Sequence, residues 1–224
     1  MGHLIAKIQE RGYIQDMYDN EYLYFRFQKH FKEGPKDPAG RNDTRDGNLF
    51  TEQVKWIELE LPTGEKMKFI RGDNMGHADH SEHLQDPKVN ICCLTIIPLS
   101  EELRPISISK RLIELGESAI LIFDTERFYN TIEKSLSEMG FTYEMKPVKY
   151  YNHKEHNGEL SFFDKDIEFD YQNEYRILIW PNPEGDLKIP VPGLKSISVV
   201  IETAKIPELS IEFLPEPSIQ DSST

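Results

Sequence analysis

Two short segments of this chain leave little freedom in what it can fold into. Residues 89–97 (VNICCLTII) and 119–123 (AILIF) are almost continuously apolar. A strand with one wet face alternates apolar with polar residues, so an unbroken run of this length reads as a strand covered on both sides. These two are expected to be the central strands. A sheet buried on both faces needs a sizeable core, and 38% hydrophobic residues with 12 Phe and 10 Tyr supply it. No linker divides the chain, so residues 1–214 are taken as one domain, with a loose tail over 215–224 that lacks core residues.

Around that centre the pattern varies. A short helix is expected over 3–10, stopped by Gly12, and an aromatic strand over 21–27. Residues 33–48 (EGPKDPAGRNDTRDGN) are dense in Gly, Pro, Asn and Asp, which is loop chemistry. Residues 54–61 and 66–70 flank a Pro62-Thr63-Gly64-Glu65 turn and make a hairpin. Residues 71–87 read as polar loop with at most one helical turn, and 107–115 as a short helix.

Asp124 caps a clearer helix over 125–139 whose apolar stripe is Phe128, Ile132, Leu136 and Met139, with Gly140 as the left-handed stop. Strands are expected over 143–151, 167–180, 186–191, 196–202 and 209–214. Many strands, few helices and no regular strand-helix alternation argue for an α+β fold with a largely antiparallel mixed sheet.

Charge narrows the function. With 26 Lys and Arg against 39 Asp and Glu the net charge is −13, which repels nucleic-acid phosphates and anionic lipid, so nucleic acid is an unfavoured partner. No apolar run approaches the roughly 18 residues of a spanning helix, and nothing predicts a membrane anchor. The two cysteines, Cys92 and Cys93, are adjacent, point to opposite faces of a strand and offer no disulfide framework. A reducing cytoplasm is the expected compartment.

The richest segment chemically is 164–180 (DKDIEFDYQNEYRILIW). Read as one strand, its odd positions Ile167, Phe169, Tyr171, Tyr175, Ile177 and Ile179 pack on the core. Gln172, Glu174 and Arg176 then stand together on the opposite face, toward solvent or a cleft. Because Leu178 and Trp180 continue that face, a partly enclosed wall is one outcome and an ordinary wet face the other.

The Gln172-x-Glu174 spacing on a late strand, with Arg26 on an early Tyr24-Phe25-Arg26 strand, resembles the ADP-ribosyltransferase pattern. The chain is also similar to small bacterial and phage families that share a Tyr-Phe-Arg strand, an Arg/Asp/Gly-rich loop, here 41–47 (RNDTRDG), and a late strand, here Tyr171 to Arg176. The resemblance implies an ADP-ribosyltransferase-like fold with NAD as substrate, and a toxin or a phage or defence factor that transfers ADP-ribose or hydrolyses NAD. It implies that Arg26 pairs with the pyrophosphate, and that Glu174 stabilises an oxocarbenium-like charge while Gln172 orients the acceptor. Arg176, Arg41 and Arg45 are further nucleotide-binding candidates. Thr95, in Cys92-Cys93-Leu94-Thr95, is the nearest counterpart of the family's middle Ser-Thr-Ser motif.

Other chemistries stay open. A non-enzymatic module that binds a protein or a nucleotide would use the same acidic surface, aromatic strand and Arg-bearing loop. Asp164, Asp166, Glu168 and Asp170 could gather magnesium for a nuclease. His77, His80 and His83 could meet a zinc ion if their segment is helical, though the spacing matches no common zinc pattern and a solvated stretch is preferred. No metal cofactor is therefore expected. Cys92 or Cys93 could act with His153 or His156, but thiols inside an apolar run are expected to be core.

Overall fold

The computed structural model describes residues 2–28, 43, 45–73, 75, 78–83, 88–99, 106, 108–180 and 185–209. Its architecture is α+β, with a largely antiparallel eight-stranded main sheet and few helices.

The chain opens on strand β1 (His3–Gln9), not on the expected helix. Leu4, Ile5 and Ala6 are all buried, because β1 lies inside the sheet between two neighbours and needs apolar residues on both faces. Helix α1 (Arg11–Asp19) starts only after the extended residue Glu10, runs through Gly12, and buries Ile14 and Met17. β2 (Tyr22–Phe27) follows, with Leu23 and Phe25 in the core and Tyr24 and Arg26 on the opposite face.

β3 (Asn48–Gln53) leads into the expected hairpin, β4 (Trp56–Glu60) and β5 (Lys66–Ile70), whose Gly64 takes the positive φ its turn requires. Residues 79–83, expected as loop, form β6 (Asp79–His83) and pair with β3. The apolar run becomes β7 (Asn90–Pro98) at the centre of the sheet. Helix α2 (Lys110–Ile113) and β8 (Ser118–Ile122) come next, then α3 (Thr125–Glu138). The Asp124 side chain caps α3 by accepting from the Arg127 amide at 3.0 Å. Phe128, Ile132 and Leu136 are fully buried, whereas Met139 is 47% exposed because the helix has already ended at Glu138.

The strand expected over 143–151 divides into β9 (Thr142–Pro147) and β10 (Lys149–Tyr151), and a short β11 (Gly158–Glu159) then pairs with β3. Residues 164–180 also divide. β12 (Asp164–Asp166) pairs with β10, a 3-10 helix spans Ile167–Gln172, and β13 (Glu174–Trp180) joins the main sheet. Asp166 caps the helix through the Glu168 amide at 3.1 Å, and Asn173 adopts φ +40°. Asp and Asn are side chains that favour caps and tolerate left-handed backbone, which is why an alternating pattern here is not one strand. Ile167 is consequently 48% exposed. β14 (Leu187–Pro190), helix α4 (Leu194–Ile197), β15 (Ser198–Glu202) and a 3-10 helix over Thr203–Glu208 complete the described chain. The strand expected over 209–214 lies, apart from Leu209, outside the described residues, as does the tail.

The sheet order is β14-β2-β7-β1-β8-β15, with β13 and then β9 on the other edge of β7. β7 therefore has two neighbours along one edge. β2 pairs with its start (Arg26↔Ile91, Phe27↔Asn90) and β1 with its end (His3↔Pro98 to Ala6↔Thr95). Beyond Ala6, β1 follows β8, while the first half of β2 follows β14, so the two strands diverge and leave a fork beside residues 92–94. One sheet face packs on α1, α3 and α4 as the main core. The other is apolar at its two ends, around Leu121 and Ile97 and around Ile91 and Leu178, and polar in between.

Candidate functional site

The fork opens into a cleft of about 550 Å³, within the roughly 300–1,000 Å³ of small-molecule sites. Arg26 and Tyr24 of β2 line one wall, and Lys7 of β1 with Tyr13 of α1 line another. Cys93 and Thr95 of β7 form the floor with Glu174 of β13, Gln172 of the 3-10 helix and Lys165 of β12. Four of the residues singled out from sequence, Arg26, Thr95, Gln172 and Glu174, thus share one concavity.

Gln172 and Glu174 do not meet as i, i+2 neighbours of a strand, because the left-handed Asn173 stands between two elements. They meet at an ammonium. Lys165 Nζ donates to Gln172 Oε1 at 2.7 Å and to Glu174 Oε2 at 2.6 Å. The other oxygen of Glu174 accepts from Arg176 Nε at 2.5 Å. Arg176 is fully buried behind the cleft wall, and its remaining nitrogens form a bidentate fork with Asp46 at 2.9 and 2.7 Å and reach the Phe162 carbonyl. Arg176 is therefore a structural cation behind the site and does not line the cleft, contrary to the expectation of a ligand contact.

Arg45 lies elsewhere, 3.9 Å from Asp79 and 4.0 Å from Asp166, and Arg41 is outside the described residues.

Burial alone would push the Glu174 carboxyl up, but Arg176 and Lys165 beside it prevail and hold it well below the carboxylate range. Burial likewise opposes the Lys165 charge, and Glu174 reverses this, leaving the ammonium raised. Both groups are charged at neutral pH. Cys93 is pushed far up by burial and then by Glu174, so its thiol is protonated and a poor nucleophile. Glu174 is accordingly ionised, with each oxygen paired to a cation, and is unsuited to proton transfer near neutrality.

Stability should follow pH accordingly. A carboxyl whose folded pKa is depressed contributes in full above its ordinary value, 4.5 for glutamate, and loses that contribution as pH falls through the folded value. Asp43 acts in the opposite sense, since burial and then Asp46 raise it above 3.8 and protonation relieves the cost. Glu174→Gln is expected to flatten the acid limb of a urea-unfolding series run from pH 7 down to pH 3. An unchanged limb would refute the assignment.

Sequence reasoning missed Lys165 and Asp46. The signals were a single lysine inside the acidic run 164–170 and an Asp-Gly turn in the arginine-rich loop. It also missed the partner of His153, whose Nδ1 contacts the Asp166 carboxylate with both side chains buried, so the structure pairs His153 with an acid and not with a cysteine. Cys92 is core, as expected, whereas Cys93, also expected in the core, is half-buried and lines the cleft, because it lies on the sheet face that the fork opens.

The acidic run is divided among separate partners. Asp164 accepts from Ser161, Asp166 meets His153, and Glu168 and Asp170 are exposed. His80 lies on a strand and not a helix, its side chain 66% exposed, and His77 falls outside the described residues. Among the described residues no three His, Cys, Asp or Glu side chains form a group that could hold a metal ion, and no helix is long and apolar enough to cross a membrane. No family model, no curated protein and no solved structure matches this chain, so the case for its chemistry rests on the cleft itself.

Proposed function

We propose that the cleft binds a nucleotide of the NAD class and that the protein transfers or hydrolyses its ADP-ribosyl group. One observation carries this: Arg26, Thr95, Gln172 and Glu174, contributed by four separate elements, line the same cleft of about 550 Å³. Arg26 takes the pyrophosphate, for which a guanidinium is well shaped. Glu174, ionised between Lys165 and Arg176, faces the ribose carbon and stabilises the positive charge that grows there as the glycosidic electron pair leaves with nicotinamide. Gln172, held by Lys165, orients the attacking hydroxyl or water. A second possibility, capture without turnover, is favoured by one fact: both Glu174 oxygens already accept from cations.

Nicotinamide release from NAD separates the two. Wild type is expected to release it, Glu174→Gln to lose about 10²–10³-fold in kcat, and Arg26→Ala to weaken substrate binding about tenfold, with melting curves checking that each variant folds. NAD that raises the melting temperature without being consumed would leave a binding module. No consumption and no stabilisation would refute both.

A further inference from the structure

Lys7 lines the same cleft as Arg26, Thr95, Gln172 and Glu174. It sits on β1 one residue past Ala6, the last position at which β1 pairs with β7. Its ammonium reaches into the fork, where it donates to the Cys93 carbonyl at 3.0 Å. That neutral oxygen uses one of three ammonium N–H groups. Among the described residues no carboxylate lies within 4.0 Å of it. Of the other acids in the cleft, Glu174 is engaged by Lys165 and Arg176, Asp46 by Arg176, Asp16 by Tyr22 and Lys188, and Asp186 by the Tyr24 hydroxyl and the Phe27 amide, while Glu10 lines the rim. Lys7 is half-buried, with two donors to spare and, among the described residues, no carboxylate in direct contact. Taking a charge partly out of water without a partner costs free energy that an anionic ligand would recover.

We propose that Lys7 is the anion-anchoring residue of the cleft and takes the phosphoanhydride oxygens of the ligand at the fork between β1 and β2. Arg26, on the facing strand, closes on the same group from the other side. The inference deepens the nucleotide reading of this cleft, although it requires only a phosphoanhydride and no glycosidic cleavage.

Calorimetric titration of the full chain with inorganic pyrophosphate, ADP and NAD tests it. Wild type is expected to bind pyrophosphate and ADP. Lys7→Met should bind each about tenfold more weakly or worse, while Lys205→Met, a surface control, binds as wild type does. Saturating pyrophosphate should also slow reductive methylation of Lys7 in the wild-type protein, read by mass spectrometry, which decides the matter if Lys7→Met fails to fold. Wild type that ignores pyrophosphate and ADP, or Lys7→Met that binds them undiminished, overturns the proposal. Pyrophosphate and ADP held through Lys7 without any NAD cleavage would uphold this anchor and sink the transferase reading. NAD cleavage unaffected in Lys7→Met, with Lys7 unprotected, would do the reverse. Tight ADP against weak pyrophosphate would assign the anchor to a nucleotide, and equal affinity to a free phosphoanhydride.

Discussion

Asp46→Ala is expected to cost about 3–5 kcal/mol of unfolding free energy, a fall in Tm of roughly 6–20 °C for a chain of this size. Arg176 has no exposed surface, and Asp46 neutralises it through two parallel hydrogen bonds at 2.9 and 2.7 Å. Alanine would leave a buried guanidinium with one carboxylate oxygen, from Glu174, and one carbonyl. The buried cluster of Lys165 and Arg176 with Glu174 and Asp46 would keep one uncompensated positive charge, whose desolvation cost exceeds the net worth of the lost pair. The surface pair Arg11–Glu202 supplies the contrast. Its partners are 62% and 58% exposed at 3.3 Å, and Arg11→Ala should change stability by under about 1 kcal/mol. Equal effects from the two substitutions, measured by urea unfolding, would show that the buried network does not hold this part of the molecule together.

Gly116→Ala is expected to be comparably damaging, at or beyond the upper end of the roughly 1–3 kcal/mol typical of overpacking. A Cβ there would lie 2.7 Å from the Gln9 Cα and closer still to its carbonyl group. The obstacle is backbone and cannot rotate away. Gly116 is also pinned from behind, since Thr203 Oγ1 donates to its carbonyl at 2.7 Å and the Thr203 amide donates to Glu117 O at 3.0 Å. The contact decides where β1 ends and α1 begins, because the Glu117 carboxylate accepts from the Arg11 amide at 3.2 Å. Forcing the two segments apart would move Gln9, Glu10 and Tyr13, all of which line the cleft, so loss of stability should come with loss of ligand binding. A Gly116→Ala protein as stable as wild type would mean that β1 and the turn after α2 separate freely.

Much of the fold was legible because it depends on local pattern. The runs at 89–97 and 119–123 became β7 and β8, the 54–70 hairpin formed, and Asp124 capped its helix. The failures have physical causes. Residues 3–10 contain enough apolar side chains for either a short helix or a strand, and what decided between them was a place between β7 and β8, which no local window contains. Residues 164–180 alternate convincingly, yet Asp166 and Asn173 act as a cap and a left-handed hinge. Of the candidate site, Arg26, Thr95, Gln172 and Glu174 were named through the resemblance, and they line one cleft. Asp46 and Lys7 were hidden by long-range proximity, since 130 residues separate Asp46 from Arg176 and 86 separate Lys7 from Cys93; Lys165 lies only 7 and 9 residues from its partners Gln172 and Glu174 and was hidden because the 164–180 segment read as one strand.

Amide hydrogen exchange with and without saturating NAD tests most directly whether a nucleotide occupies the fork between β1 and β2. Exchange is expected to slow in residues 5–9, 22–26, 92–95 and 172–174, the segments that line the fork, and to stay unchanged in the remote hairpin 56–70. Protection confined to other segments, or none at a concentration that saturates an independent binding signal, would contradict it.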